Sequence, residues 1–280
     1  MSTKNSQEPS PHRHISFTAH YTGYIWYLLG ISHERLATPK GKQLVTLLHP
    51  IEMLAEKLLG HSVRSTLKLR HQLIDQRLEQ LINQYPHIQI IEMAAGLSPR
   101  GWRFRQKYPD ISYIEVDLPA MATLKAQALE DIEPNAQVYS YDIFSPQFQQ
   151  FLNEKLDHNR PVIVLCEGLI NYFSRDLIGQ LSQILSTAFK QFPQAYFISD
   201  LYPEPVHKLA KIVWHSGRLL KFLSKSHFNF YFATPVQAQS FFVEHGFEQV
   251  FIRQASSFNN PQQEDHLGDF VWIIEASVSH

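Results

Sequence analysis

The feature that most limits the fold of this chain is a change of rhythm at Pro86. Beyond it, short runs rich in β-branched and aromatic residues alternate with helical stretches. The strand-like runs are His87–Met93, Ile111–Val116, Gln137–Tyr141, Pro161–Cys166 and Ala195–Ser199. Between them lie Pro99–Tyr108, Pro119–Glu130, Pro146–Leu156 and Ser174–Phe192. Strands separated by helices are joined by crossovers rather than hairpins, so they lie parallel and the helices cover both faces of the sheet. The crossovers are then right-handed.

The rhythm stops in the last third. Glu204–Lys225 reads as one or two helices with a basic side made by Lys208, Lys211, Arg218, Lys221 and Lys225. That side is most simply a solvated face; an anionic substrate or partner is the alternative. Thr234-Pro235 opens a helix over Val236–His245, and Gly246 ends it. Two strand-like runs follow, Phe247–Arg253 and Phe270–Ala276, with only a polar loop from Gln254 to Gly268 between them. They form an antiparallel pair at one side of the sheet.

Before Pro86 the periodicity is helical. Leu44, Leu47, Leu48, Ile51, Leu54, Leu58 and Leu59 make one stripe, and Leu67, Leu69, Leu73, Ile74, Leu78 and Leu81 another. The aromatic segment Tyr21–Leu29 reads as helix packing or as one wall of a ligand pocket. The expected organisation is a flexible tail over 1–14, a helical cap over 15–85, and an α/β core over 86–280 with a helical insertion at about 203–232.

Composition narrows the function classes. An apolar share of 44% in 280 residues supports a large core. With 25 Lys and Arg against 26 Asp and Glu, no net field gathers nucleic acid or an anionic membrane. The lone Cys166 excludes an internal disulfide and a cysteine-based zinc site, and suits a reducing compartment. No apolar stretch approaches the ~20 residues a membrane span needs, and the polar start lacks a secretory core. The expectation is a cytoplasmic protein. The 15 histidines show no metal-ligand spacing, so no metal is expected.

The chemistry gathers at strand ends. Ile90-Ile-Glu-Met-Ala-Ala-Gly-Leu-Ser-Pro-Arg-Gly101 runs from an apolar strand through small residues into a helix. Small residues let the backbone approach a ligand, and the helix start offers free N–H groups. Ala94 and Ala95 stand where glycines would complete a signature; only Gly96 is unambiguous. Asp117 closes the next strand 21 residues later, placed to accept both ribose hydroxyls of an adenosine. Glu115 shares its face and is the second candidate, while capping of the helix at Pro119 is the ordinary reading. Asp142 follows the third strand, where it could meet the exocyclic amine of adenine or cap toward Ser145. Glu167 ends the wholly apolar fourth strand, where a carboxylate needs a partner or a function. Open α/β sheets bind ligands at these ends.

No tyrosine has lysine four residues on, which disfavours a short-chain nicotinamide reductase, and no P-loop signature is present. Glu92 before the loop and the closing strand pair fit S-adenosylmethionine better, with the acid offsetting the cofactor's cationic methionyl end.

The runs Glu92-Met-Ala-Ala-Gly-Leu-Ser-Pro-Arg-Gly, Tyr113-Ile-Glu-Val-Asp-Leu-Pro with Lys125 following, Cys166-Glu-Gly-Leu-Ile-Asn-Tyr-Phe, and Arg70-His-Gln-Leu-Ile-Asp75 resemble the leucine carboxyl methyltransferase group, which includes bacterial polyketide O-methyltransferases. The likeness spans about residues 15–276. It implies a Rossmann-like class I methyltransferase fold using S-adenosylmethionine. By motif, Arg70 would grip the cofactor carboxylate and Gly96 would lie against its methionyl part. Asp117 would hold the ribose, Asp142 would meet the adenine, and Glu167 would lie near the methionyl amine. Ala94, Arg100, Leu118 and Ile143 complete the implied cofactor set with Glu92. The insertions with which eukaryotic members read a protein phosphatase do not align with this sequence, which puts a phosphatase substrate in doubt and favours a small-molecule acceptor.

A carboxylate acceptor needs no base, whereas a hydroxyl benefits from one. His20, Tyr21, Tyr24, Tyr172 and Tyr202 are the candidate pocket groups, each with core packing as its ordinary reading. Segments 15–60 and 203–232 are candidate covers that exclude water. The leading expectation is an O-methyltransferase acting on a small carboxylate or hydroxyl compound. A non-catalytic methyltransferase-fold binding protein and a protein carboxyl methyltransferase are the alternatives.

Overall fold

A computed structural model describes residues 15–59, 62–204, 228–254 and 271–278. The expected tail, most of the basic helical segment and the loop after Gln254 lie outside the described residues. Three helices come first: α1 (Ile15–Leu28), α2 (Pro39–Leu59) and α3 (Val63–Gln84), with a 3-10 turn at Glu34–Leu36. The alternation then runs β1 (Gln89–Met93), α4 (Arg100–Lys107), β2 (Ser112–Asp117), α5 (Pro119–Leu129), β3 (Gln137–Ser140), α6 (Pro146–Lys155), β4 (Val162–Cys166), α7 (Arg175–Phe189) and β5 (Ala195–Leu201). Helix α8 (Pro235–Glu244) and strands β6 (Gln249–Gln254) and β7 (Trp272–Ser277) close the described chain.

Local chemistry sets several of these boundaries. Ser62, Ser145, Ser174 and Thr234 each accept a backbone N–H from the first turn of the helix they precede. Proline stands just inside α5, α6 and α8, where its missing N–H costs nothing.

The seven strands form one sheet in the order β3-β2-β1-β4-β5-β7-β6. The first five are parallel, and β7 runs antiparallel to both β5 and β6. The chain order reverses between β1 and β4, which makes the carboxyl ends of those strands the natural crevice. All five residues of β1 and of β4 are buried, since both faces of the sheet are covered. On one face Ile90, Ile163, Ile198 and Ile273 meet Leu73, Ile74, Leu78 and Leu81 of α3 and Phe104 of α4. On the other, Ile91, Val164, Phe197 and Ile274 meet Phe148, Leu185, Phe189 and Phe242 from α6, α7 and α8. Helix α3 is thus a layer on the sheet, and this places its first half beside the strand ends. Helix α1 lies across the turn after β1: a Cβ on Gly23 would fall 2.7 Å from the Cβ of Leu97.

Strand β5 runs two residues past the expected end at Ser199. Asp200 and Leu201 pair with Ile273 and Trp272, because the antiparallel neighbour supplies ladder partners that the polar residue alone does not advertise.

Candidate functional site

The turn after β1 is the floor of the crevice. Ala94 and Gly96 both take left-handed backbone angles, with φ of 50° and 49°. Glycine does so freely; for alanine the conformation costs on the order of 1 kcal/mol. Hydrogen bonds to β2 and α5 hold it. The Ala95 N–H donates to the Val116 carbonyl at 3.2 Å, Lys125 Nζ donates to the Ala95 carbonyl at 3.2 Å, and the Gly96 N–H donates to Asp117 Oδ2 at 2.7 Å. A Cβ on Gly96 would stand 3.1 Å from the Cβ of Ala19 in α1, so the turn is pressed between helix and sheet.

Asp117 accepts a second backbone N–H, from Leu118, at 2.7 Å on its other oxygen. Burial pushes its carboxyl above the ordinary value against the pull of those two N–H groups. The second candidate, Glu115, is fully buried and ion-paired to Lys125 and Arg105, with Gly101 of α4 closing over its carboxylate. Burial drives the Glu115 carboxyl up, but the two cations outweigh it and leave it below the usual range. Asp142 accepts the Phe144 N–H at 3.0 Å in a tight turn, while Ser145, not Asp142, caps α6. Ile143 is buried beside it, in the core under α6.

At the other end of the crevice, side chains from two helices, three strands and the turns after β4 and β5 meet in a buried ionic network. Arg70 of α3 donates from Nε to Glu167 Oε1 at 2.8 Å, and from Nη1 to Asp200 Oδ2 at 3.3 Å and to the Tyr202 hydroxyl at 3.2 Å. The other Glu167 oxygen meets Arg100 Nη2 at 2.5 Å and His71 Nδ1 at 2.8 Å. Arg100, fully buried at the start of α4, also donates to Asp75 at 2.7 Å and Glu92 at 2.9 Å. Glu92 takes the Tyr113 hydroxyl at 2.7 Å, and Asp75 takes Arg103 at 2.7 Å. Burial raises the Glu167 carboxyl, yet Arg100, Arg70 and His71 together bring it well below the usual range. Asp200 goes the opposite way: burial wins over Arg70, and the nearby Glu167 adds to the rise.

The five candidate acceptor-side groups divide. Tyr202 and Tyr172 flank the ring of Phe228, at 5.7 and 5.1 Å between centroids, and Tyr202 reaches the network through Arg70. Burial pushes the Tyr202 hydroxyl to about 12. The Tyr172 hydroxyl bonds Thr18 of α1. His20, also on α1, pairs Nδ1 with the Thr38 hydroxyl at 2.9 Å; burial and then Lys40 lower its pKa to about 4, so it is neutral at pH 7. Tyr24 packs on Tyr27. Tyr21 donates to Glu52, which Arg64 also holds, inside the cluster between α1 and α2.

Direct bonds therefore bring together Arg70, Glu92, Arg100, Glu167 and Tyr202 on one side, and Gly96, Asp117 and Leu118 on the other. The network members that sequence reasoning did not place in the site are His71, Asp75, Arg103, Tyr113 and Asp200. Asp200 carried a usable signal: like Glu167, it follows an apolar run at a strand's carboxyl end.

The sequence pattern described as leucine carboxyl methyltransferase matches residues 32–185, over half of the chain. Among solved structures, a protein from Thermobifida fusca provisionally named a methyltransferase aligns with a TM-score of 0.62 and 14% identity, covering 92% of this chain and 94% of that one. A provisionally named O-methyltransferase from Nostoc punctiforme aligns at 0.49 with 14% identity, covering 92% of this chain and 72% of that one. At these identities the first likeness speaks to fold alone, and the second is too distant to add to it. No curated protein matches the chain. With the family pattern over more than half its length and the expected sheet beneath it, the chain belongs to the leucine carboxyl methyltransferase family and is an S-adenosylmethionine-dependent methyltransferase.

Proposed function

We propose that this methyltransferase acts on an oxygen of a small molecule, a carboxylate or a hydroxyl. The observation that carries the site assignment is the convergence of Arg70, Gly96, Asp117, Asp142 and Glu167 at the carboxyl ends of β1 to β4, at the point where strand order reverses. Their chemistry fits the cofactor: a guanidinium for its carboxylate, carboxylates for its ammonium and its ribose diol, and a left-handed turn of small residues between them.

In this reading Arg70 holds the cofactor carboxylate, Glu167 stands near the amine, Ala94 and Gly96 run along the methionyl chain, and Asp117 takes the ribose. Asp142 meets the adenine, with Leu118 and Ile143 beside the two acids. Glu92 and Arg100 act at one remove, because each is buried and already bonded within the network. Bound S-adenosylmethionine supplies a methyl group activated by its sulfonium. What remains for the protein is alignment, since the departing sulfur needs no proton. Helix α1 over the loop would exclude water as a cover above the core. For a hydroxyl acceptor, His20, Tyr24, Tyr172 and Tyr202 are the candidate pocket groups; His20 is neutral at pH 7, but with its pKa lowered to about 4 it is a weak base.

The family name points to carboxyl acceptors and so supports the carboxylate branch, with a protein carboxyl group as the second reading. The cytoplasm is the proposed setting, supported by the single buried cysteine; no described helix is long and apolar enough to cross a membrane. Methyl-labelled S-adenosylmethionine offered with a panel of small acids and alcohols tests the proposal. Label should enter the small-molecule fraction, and release of methanol in mild base identifies an ester and hence a carboxylate acceptor. Label entering protein alone would overturn the small-molecule assignment.

A further inference from the structure

Asp200 lies near the carboxyl end of β5 with its side chain 1% exposed, behind Arg70 and Glu167, which are each 7% exposed. Among the described residues it is the one carboxylate that bonds both the guanidinium and the backbone turn after β4. Oδ1 accepts the Gly168 N–H at 2.6 Å, and Oδ2 accepts Arg70 Nη1 at 3.3 Å. Gly168 directly follows Glu167 and has a φ of 69°, a turn that favours glycine. A Cβ there would stand 3.1 Å from Arg70 Nη1, so turn and guanidinium touch.

Resting on the roles given above to Arg70 and Glu167, we propose that Asp200 is a positioning residue: it fixes the Arg70 guanidinium and the Glu167–Gly168 turn together, and so sets the cradle for the cofactor's amino-acid end. Two requirements meet in one carboxylate. The Gly168 N–H asks only for an acceptor, which an amide oxygen also provides. Arg70 asks for charge, because its other carboxylate, Glu167, is shared with Arg100 and His71. The rise that burial imposes on the Asp200 carboxyl is consistent with this, since Arg70 in place is what favours its ionised form.

The test compares two ligands by calorimetric titration: S-adenosylhomocysteine, and 5′-methylthioadenosine, which keeps the adenosine and lacks the amino-acid end. Asp200→Asn keeps the shape and the acceptor for Gly168 and loses the charge. It should weaken S-adenosylhomocysteine by about tenfold or more, the scale of a hydrogen bond to a charged group, and leave methylthioadenosine almost unchanged. Asp200→Ala should do the same more strongly, and Asp200→Asn answers for it if the alanine variant unfolds. In turnover the loss should fall on KM for the cofactor rather than on kcat. Equal weakening of both ligands, or none, would overturn the inference. Should the unaltered protein bind the two ligands equally tightly, Arg70 and Glu167 lose their assigned roles, and the failure lies in the site reading itself.

Discussion

The two ends of the crevice hold their acids in opposite ways. On the side proposed for the adenosyl group, Asp117 and Asp142 are held by backbone N–H groups close by, at Gly96, Leu118 and Phe144. On the side proposed for the methionyl group, Glu92, Glu167, Asp75 and Asp200 are held by arginines from α3 and α4, some across more than ninety residues of sequence, with one backbone N–H, from Gly168, added at Asp200. A carboxylate held by backbone keeps its charge available to a ligand without drawing on other side chains. A carboxylate inside an ionic network is shared, so each partner's position depends on the rest. The adenosyl side should therefore fail locally when mutated, and the methionyl side collectively.

The largest expected effect is on stability at Arg100. Arg100→Leu removes one cation from three buried carboxylates and should cost about 3–5 kcal/mol in urea unfolding, as breaking buried pairs does. At roughly 2–4 °C per kcal/mol, Tm falls by about 10 °C. A loss under about 1 kcal/mol would break the contrast, since such exposed-pair values mean no interdependent network. Next comes Gly168→Ala, which forces a side chain into a left-handed turn against Arg70. About 1–2 kcal/mol of stability should go, and S-adenosylhomocysteine should bind more weakly while methylthioadenosine does not. Asp117→Asn should reverse that pattern. It leaves an acceptor for one of the two N–H groups, so unfolding changes by only about 1 kcal/mol, yet both adenosine ligands should weaken by about tenfold or more. If Asp117→Asn spared methylthioadenosine, the ribose assignment would fall.

The smallest effect lies outside both ends, on the α1 cover. His20 takes its proton near 6.5 when unfolded and only near 4 when folded, so falling pH favours the unfolded chain across that window. Stability should decline from pH 6.5 toward 4, and His20→Gln should remove part of that slope. His20 is half-exposed, which keeps the effect modest. Urea midpoints between pH 7 and 4.5 read it directly.

The same contrast governs what could be read from sequence. Asp117 and Glu167 stand out in the sequence because each closes a largely apolar strand-like run, and Asp142 because it follows the third such run, all patterns local in the chain. The order of elements was legible for the same reason, down to the antiparallel closing pair. Of the partners of Glu167, Arg70 and Arg100 entered through the family resemblance alone, and nothing in the α3 pattern says that His71 faces the strand ends rather than solvent. Arg100 looked like a loop arginine, and only its burial among three carboxylates explains it. Asp200 was passed over because its polarity ended the apparent strand, whereas pairing with β7 carries β5 past it.

The most direct measurement is calorimetric titration of the unaltered protein with S-adenosylhomocysteine, beside NADH and NADPH, with thermal unfolding on the same samples. One site should bind S-adenosylhomocysteine selectively, and at one hundred times Kd it should add about 2.7 kcal/mol to stability, a shift of a few degrees. No heat and no shift, or an equal response to NADH, would mean that the acids at the strand ends serve something other than this cofactor.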